Sequence, residues 1–269
     1  RDALLEALGR ASGAGAGAAL AAFAGGDAPV ADRAKVAEAL STHEDRLTTL
    51  RKLGTDPDGA VRANAVWSLG AAGVAADVQQ LAGALSDPDV AVAANAAAAL
   101  ARLARRTGTD VAATLCTAIA APRAYVRANA LAAAALVGAR CATPMARRLL
   151  LNDPSPIVRR AAAGLLWRVP SGEEREDRAV LDRCTDRDRD GAVAVACAAA
   201  PAALPTDVDA VLVYVVPAAE VSPVARAPYA LVLSDGLMRL GVSDRRGAVF
   251  EARAPRGPLT LEVPAPLAP

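Results

Sequence analysis

A short phrase recurs through the first two thirds of the chain and limits what the chain can become. It reads Asp-Pro-Asp-Gly-Ala-Val-Arg-Ala-Asn-Ala from Asp56 and Asp-Pro-Asp-Val-Ala-Val-Ala-Ala-Asn-Ala from Asp87. It returns as Ala-Pro-Arg-Ala-Tyr-Val-Arg-Ala-Asn-Ala from Ala121 and Asp-Pro-Ser-Pro-Ile-Val-Arg-Arg-Ala-Ala from Asp153, with weaker copies around Pro29 and Asp188. Its prolines, Pro57, Pro88, Pro122 and Pro154, stand about 31 to 34 residues apart. A period of that size belongs to architectures in which each unit buries its faces against its neighbours.

Each unit reads as two helices around a tight turn. In the second unit residues 44–53 supply the first helix, residues 55–59 the turn, and residues 60–72 the second helix. The aspartate before each proline is expected to cap the second helix, with proline in its first turn, where no donor is lost. Val61, Ala65, Leu69 and Ala72 form one apolar stripe at helical spacing, repeated by Val92, Ala96, Leu100 and Leu103 and by Val158, Ala162, Leu165 and Val169. Hydrophobic residues make up 54% of the chain, alanine above all, while aromatics are only 3%. Alanine contributes little area per residue, so stability has to be spread over many small helix interfaces.

The pattern Asp-Pro-x-x-x-Val-Arg-x-x-Ala-x-x-x-Leu resembles HEAT repeats, in the short variety named after phycobilisome lyases. The resemblance spans residues 14–204 and is clearest in Asp56–Leu69, Asp87–Leu100 and Asp153–Leu166. It implies a mainly α protein, a right-handed α-solenoid of about six helix pairs over residues 1–205. After Pro205 five β-rich runs follow: Ala210–Val216, Tyr229–Leu233, Leu237–Val242, Ala248–Ala252 and Leu259–Val263. Asp235-Gly236 and Arg246-Gly247 read as hairpin turns. Residues 206–269 are therefore expected to form a small β-sandwich leaning on the last repeat. The run Tyr-Ala-Leu-Val-Leu-Ser-Asp-Gly is similar to transthyretin- or immunoglobulin-like modules, which implies docking into a larger bacterial assembly, such as a contractile secretion or defence complex.

Net charge is +1, so no global field draws the chain to nucleic acid or membrane. The longest apolar run, Gly191 to Leu204, is too short to span a bilayer. Cys116, Cys141, Cys184 and Cys197 show no Cys-x-x-Cys spacing, and His43 is the one histidine, which disfavours zinc and the usual triads. Buried free thiols are expected, hence a reducing, cytoplasmic setting. Asp186, Asp188 and Asp190 open an EF-hand-like run, but Cys197 stands where a closing glutamate is needed, so the run reads as a solvated turn. Gly9 to Gly15 follow a helical pattern and read as a plain loop.

Between Ala101 and Arg168 eleven arginines face only Asp110 and Asp153, and the next stretch, from Glu173, is acidic. Arg127 and Arg159 hold the family position that bonds within the turn. Arg105, Arg106, Arg147 and Arg148, with Trp167 as anchor, remain as candidate partner-binding residues for an acidic protein. The scarcity of aromatics beside them disfavours nucleic acid. Trp67 and Trp167 both lie off their own stripes, facing either a neighbouring unit or a partner. These features point to a non-enzymatic interaction scaffold without catalytic, metal or cofactor residues. The resemblance leaves open a HEAT-like enzyme of bilin-lyase or DNA-glycosylase type, which would need Asp110 or Asp153 in a deep pocket.

Overall fold

The computed structural model, which describes residues 1–11, 13–25, 27–216 and 221–262, turns the repeat into stacked helix pairs. A first helix, α1 (Asp2–Arg10), precedes the pairs α2 (Ala14–Ala22) with α3 (Val30–Ala39) and α4 (Leu47–Leu53) with α5 (Gly59–Ala72). They continue as α6 (Val78–Ala84) with α7 (Val90–Thr107), α8 (Ala112–Ala118) with α9 (Ala124–Leu136), α10 (Thr143–Asn152) with α11 (Pro156–Arg168), and α12 (Glu174–Arg187) with α13 (Gly191–Ala198). The second helices of successive pairs pack on one another as an inner row. Every residue of the three apolar stripes named above is buried. Small side chains let the row close up: a Cβ added at Gly70 of α5 would sit 2.6 Å from the Ala99 Cα of α7.

The capping aspartate lies two residues later than the spacing suggested. Asp58, Asp89 and Asp190 cap α5, α7 and α13, each accepting from two backbone N–H groups, and Pro57 and Pro88 stay outside the helices. The aspartate before the proline closes a smaller turn instead, Asp56 accepting from Asp58 N at 2.9 Å and Asp87 from Asp89 N at 2.8 Å.

That freed carboxylate also ties one unit to the next. Arg62 donates to the carbonyls of Asp56 and Pro57 in its own turn and makes a bidentate pair with Asp87, both bonds 2.9 Å. Arg127 repeats this with Asp153, Arg159 with Asp188, and Arg33 reaches Asp56. In α7 the arginine is replaced by Ala93, and the aspartate it would meet is replaced by Ala121. Burial pushes the Asp56 and Asp87 carboxyls up, but Arg33 and Arg62 more than offset it and hold both below the usual range; Arg159 holds Asp188 down likewise. Unfolded aspartates take up protons first on acidification, so these pairs stabilise the fold above about pH 4 and lose that contribution as pH falls through the depressed values. Arg62→Ala is expected to lower stability by about 2 kcal/mol at pH 7 in chemical denaturation, with a smaller loss near pH 3.

Two disulfides replace the expected free thiols. Cys116 of α8 bonds Cys141, just before α10, and Cys184 of α12 bonds Cys197 of α13, with Cα separations of 6.1 and 6.0 Å. The helix pairs bring these positions together although their spacing in sequence follows no familiar motif.

The strands are β1 (Val208–Tyr214), β2 (Pro228–Val232), β3 (Met238–Val242), β4 (Ala248–Pro255) and β5 (Thr260–Glu262). Each of the five runs read from sequence overlaps a strand, with ends shifted by up to three residues; Val263 lies outside the described residues. They make two small antiparallel sheets, β1 with β4 and β3–β2–β5. Asp235-Gly236 is the expected hairpin turn, with Gly236 at φ +91° and its N–H on Leu233 O. Arg246-Gly247 is not a hairpin: β3 and β4 join different sheets, and the residues form a corner in which Asp244 accepts from the N–H groups of Arg246 and Ala248. Nor do the strands simply lean on the last repeat. β3 lies on α5 and α7, β4 on α3, and Tyr229, Leu231 and Leu240 share one continuous core with the helices.

Candidate functional site

Three successive helices of the inner row carry a polar side chain at the same place. Asn64 of α5, Asn95 of α7 and Asn129 of α9 are buried, and each donates to a carbonyl of the preceding inner helix: Ala34, Ala63 and Ala94. Their remaining capacity holds strand β3. Asn129 donates to Met238 O at 2.7 Å and accepts from Met238 N at 2.8 Å; Asn95 does the same with Leu240, both bonds 2.9 Å. Alternate residues of an antiparallel strand direct these groups away from the paired neighbour, so the two asparagines fill the edge of β3 that β2 leaves open. Asn64 accepts from the Arg239 guanidinium at 3.2 Å. Only main-chain atoms are read by Asn95 and Asn129, which is the chemistry of strand addition performed by helix side chains.

Charged groups buried around this ladder lock the strands down. Glu251 of β4 accepts from Trp67 Nε1 at 2.6 Å, from Arg102 at 3.1 Å and from Arg239 at 3.2 Å, while Arg102 lies 4.4 Å over the Trp67 ring. Burial pushes the Glu251 carboxyl up, but Arg102 and Arg239 prevail and hold it below the usual range. Glu38 of α3 accepts from Phe250 N at 2.6 Å, and Lys35 lies 3.3 Å from both Glu38 and Asp244. The β3–β4 corner is fastened to the first helices by Arg245 with Asp2 and Asp32 and by Arg246 with Glu6.

The residues singled out from sequence do not form one surface. Arg147 of α10 is half-buried and bonded within the chain to Asp177, Glu173 and Glu176, so the acidic stretch after the basic band is its partner. Arg106 donates to Gly73 O. Arg105, at the end of α7, and Arg148, on α10, are exposed. Trp167 packs on the following unit, its Nε1 donating to Ala196 O at 3.1 Å and Arg178 lying 5.0 Å over its ring. Trp67 meets both the neighbouring unit, through Arg102 over its ring, and β4, through Glu251. Asp153 borders an open cleft, but its carboxylate is taken up by Arg127 and Ser155 N, and that of Asp110 accepts from Ala112 N. Asp188 and Asp190 serve the turn, and the described residues hold no cluster with a metal ion's ligands. His43 is buried with Nε2 3.2 Å from Leu8 O. In the glycine-rich stretch Gly9 belongs to α1, where a Cβ would meet Ala39 at 2.9 Å; Ser12 lies outside the described residues.

The asparagines were the missed signal: a polar residue repeated three times inside alanine-rich helices, then dropped at Ala161 and Ala196. Where it is dropped, the groove continues past the strands as an open cleft of about 460 Å³ between α11, α13 and the β2–β3 turn.

Residues 47–120 match the family model described as HEAT repeats. A comparison with curated proteins gave no match. Among solved structures, Escherichia coli YibA superposes with a TM-score of 0.51 at 16% identity, covering 71% of this chain and 72% of that one. Human deoxyhypusine hydroxylase in complex with glycerol gives 0.36 at 18% identity, covering 72% and 86%. The complex of CpcE and CpcF of phycocyanin lyase from Nostoc sp. PCC7120 gives 0.40 at 18%, covering 69% and 81%. At such identities the likeness to YibA is one of fold, and the two weaker superpositions carry no argument about activity.

Proposed function

We propose that the chain is a non-enzymatic interaction scaffold that joins a protein partner to a larger assembly through the surfaces its own strands leave free. One observation carries this reading: the polar side chains of the inner row are spent on holding a strand, and the acids buried at the strand junction, Glu38 and Glu251, are matched by ammonium, guanidinium and indole donors. Such groups hold and position. The outer helices and the rim at the end of α7 remain for the partner, and exposed Arg105 and Arg148 suit an acidic one. Two disulfides favour an oxidising compartment over the cytoplasmic setting expected from free thiols. No described helix is long and apolar enough to cross a membrane.

The test is co-purification from the native source followed by cross-linking mass spectrometry, using the wild-type chain and Arg105→Glu with Arg148→Glu. One stoichiometric protein cross-linked to the outer helices, lost from the variant, is the expected result. Recovery of the chain alone would reject the scaffold, and full retention by the variant would reject the arginine surface.

A further inference from the structure

The cleft at the end of the groove has a composition that asks for a ligand. Its floor is one stripe of α11, namely Ile157, Ala161, Gly164 and Arg168, faced by Val195 of α13 and Met238 of β3. About 460 Å³ is the size of small-molecule sites, and the lining is mostly aliphatic. Val195 is 71% exposed, so a large apolar side chain borders the opening uncovered by any described residue.

Two further features point the same way. Gly164 stands inside a helix, where glycine is unfavourable, yet a Cβ built on it would have no atom within 4 Å. No described residue packs where the missing side chain would stand; its effect is to keep the cleft deep. Arg168 is half-buried at the cleft, donates only to Ala202 O at 3.2 Å, and makes no ion pair among the described residues. Its burial pushes its pKa down, by more than the nearby Asp235 carboxylate raises it. Arg160, two helical turns or about 12 Å away, is already turned toward Glu262 at 3.8 Å. The other acid at the cleft, Asp235, accepts from Leu237 N, and burial pushes its pKa up.

We propose that this cleft binds a small amphiphile, an apolar chain ending in one carboxylate, with the chain over Gly164 and Ala161 and the carboxylate on the Arg168 guanidinium. A planar guanidinium suits a carboxylate because it offers two parallel N–H donors. The site is separate from the arginine surface assigned to a protein partner, and the two can fail independently.

The experiment is isothermal titration of the full chain with decanoate below its micellar concentration, beside 1-decanol and decylammonium. Saturable one-to-one binding of decanoate is expected, at least tenfold weaker for decanol and absent for decylammonium. Arg168→Ala should weaken decanoate at least tenfold. Gly164→Leu should abolish binding by filling the cleft, while the melting temperature stays equal or rises, which separates a filled site from a damaged fold. No saturable binding to the folded wild-type chain would overturn the proposal, as would equal binding of decylammonium or decanoate affinity unchanged in Gly164→Leu.

Discussion

Glu251→Ala is expected to destabilise the protein by about 3–5 kcal/mol, the range for removing one partner of a buried ion pair. The Glu251 and Arg239 side chains are 3% and 2% exposed, so the arginine could not recover its lost partner from water. Arg102 and the Trp67 indole would lose the same acceptor. Guanidinium chloride denaturation followed by tryptophan fluorescence reads the effect directly, since Trp67 reports from the junction of strands and helices. Glu251→Gln should cost less, because it still offers Trp67 an oxygen. Replacing the pair together, Glu251→Leu with Arg239→Met, should recover much of the loss, since an apolar pair need not be desolvated as ions. A loss below about 1 kcal/mol for Glu251→Ala would mean that this network is not what couples the sheets to the solenoid.

Reducing the two disulfides is expected to have an effect of similar size. The bridged cysteines are 25 and 13 residues apart, and chain-entropy reasoning gives about 3 kcal/mol for each loop. For a chain of this size that translates to a drop of roughly 6–12 °C in melting temperature per bridge. The Cys184–Cys197 bridge should matter most locally, because α12 and α13 form the last pair of the row among the described residues. Calorimetry with and without a phosphine reductant measures the total, and hydrogen exchange over α12 and α13 measures the local share. Identical melting in both conditions would show that the thiols are free in solution and would restore the reducing compartment.

The sequence disclosed what depends on local pattern. The prolines marked the turns, the Val–Ala–Leu stripes marked the buried faces, and all five β-rich runs became strands. What it hid depends on residues far apart. Trp67 meets Glu251 across 184 positions, and Asn95 meets Leu240 across 145. Periodicity says that a side chain faces inward but not which distant segment it meets there. The asparagines were visible as a repeated anomaly in apolar helices, and their use was not. Arg147 illustrates the opposite error: a surplus of positive charge read as a surface for a partner was balanced by Glu173, Glu176 and Asp177 of the next unit. The cysteines were misjudged because stacking, not spacing, brings Cys116 to Cys141.

The paired alanines Ala93 and Ala121 leave the α7–α9 junction as the step in the row where the Arg–Asp tie between neighbouring inner helices is absent. β3 is bonded to Asn95 on one side of that step and to Asn129 on the other, only two residues apart along the strand. It therefore acts as a splint across the seam that lacks this tie, and a proline at Leu240, which has no N–H to offer Asn95, would unfasten one end of it.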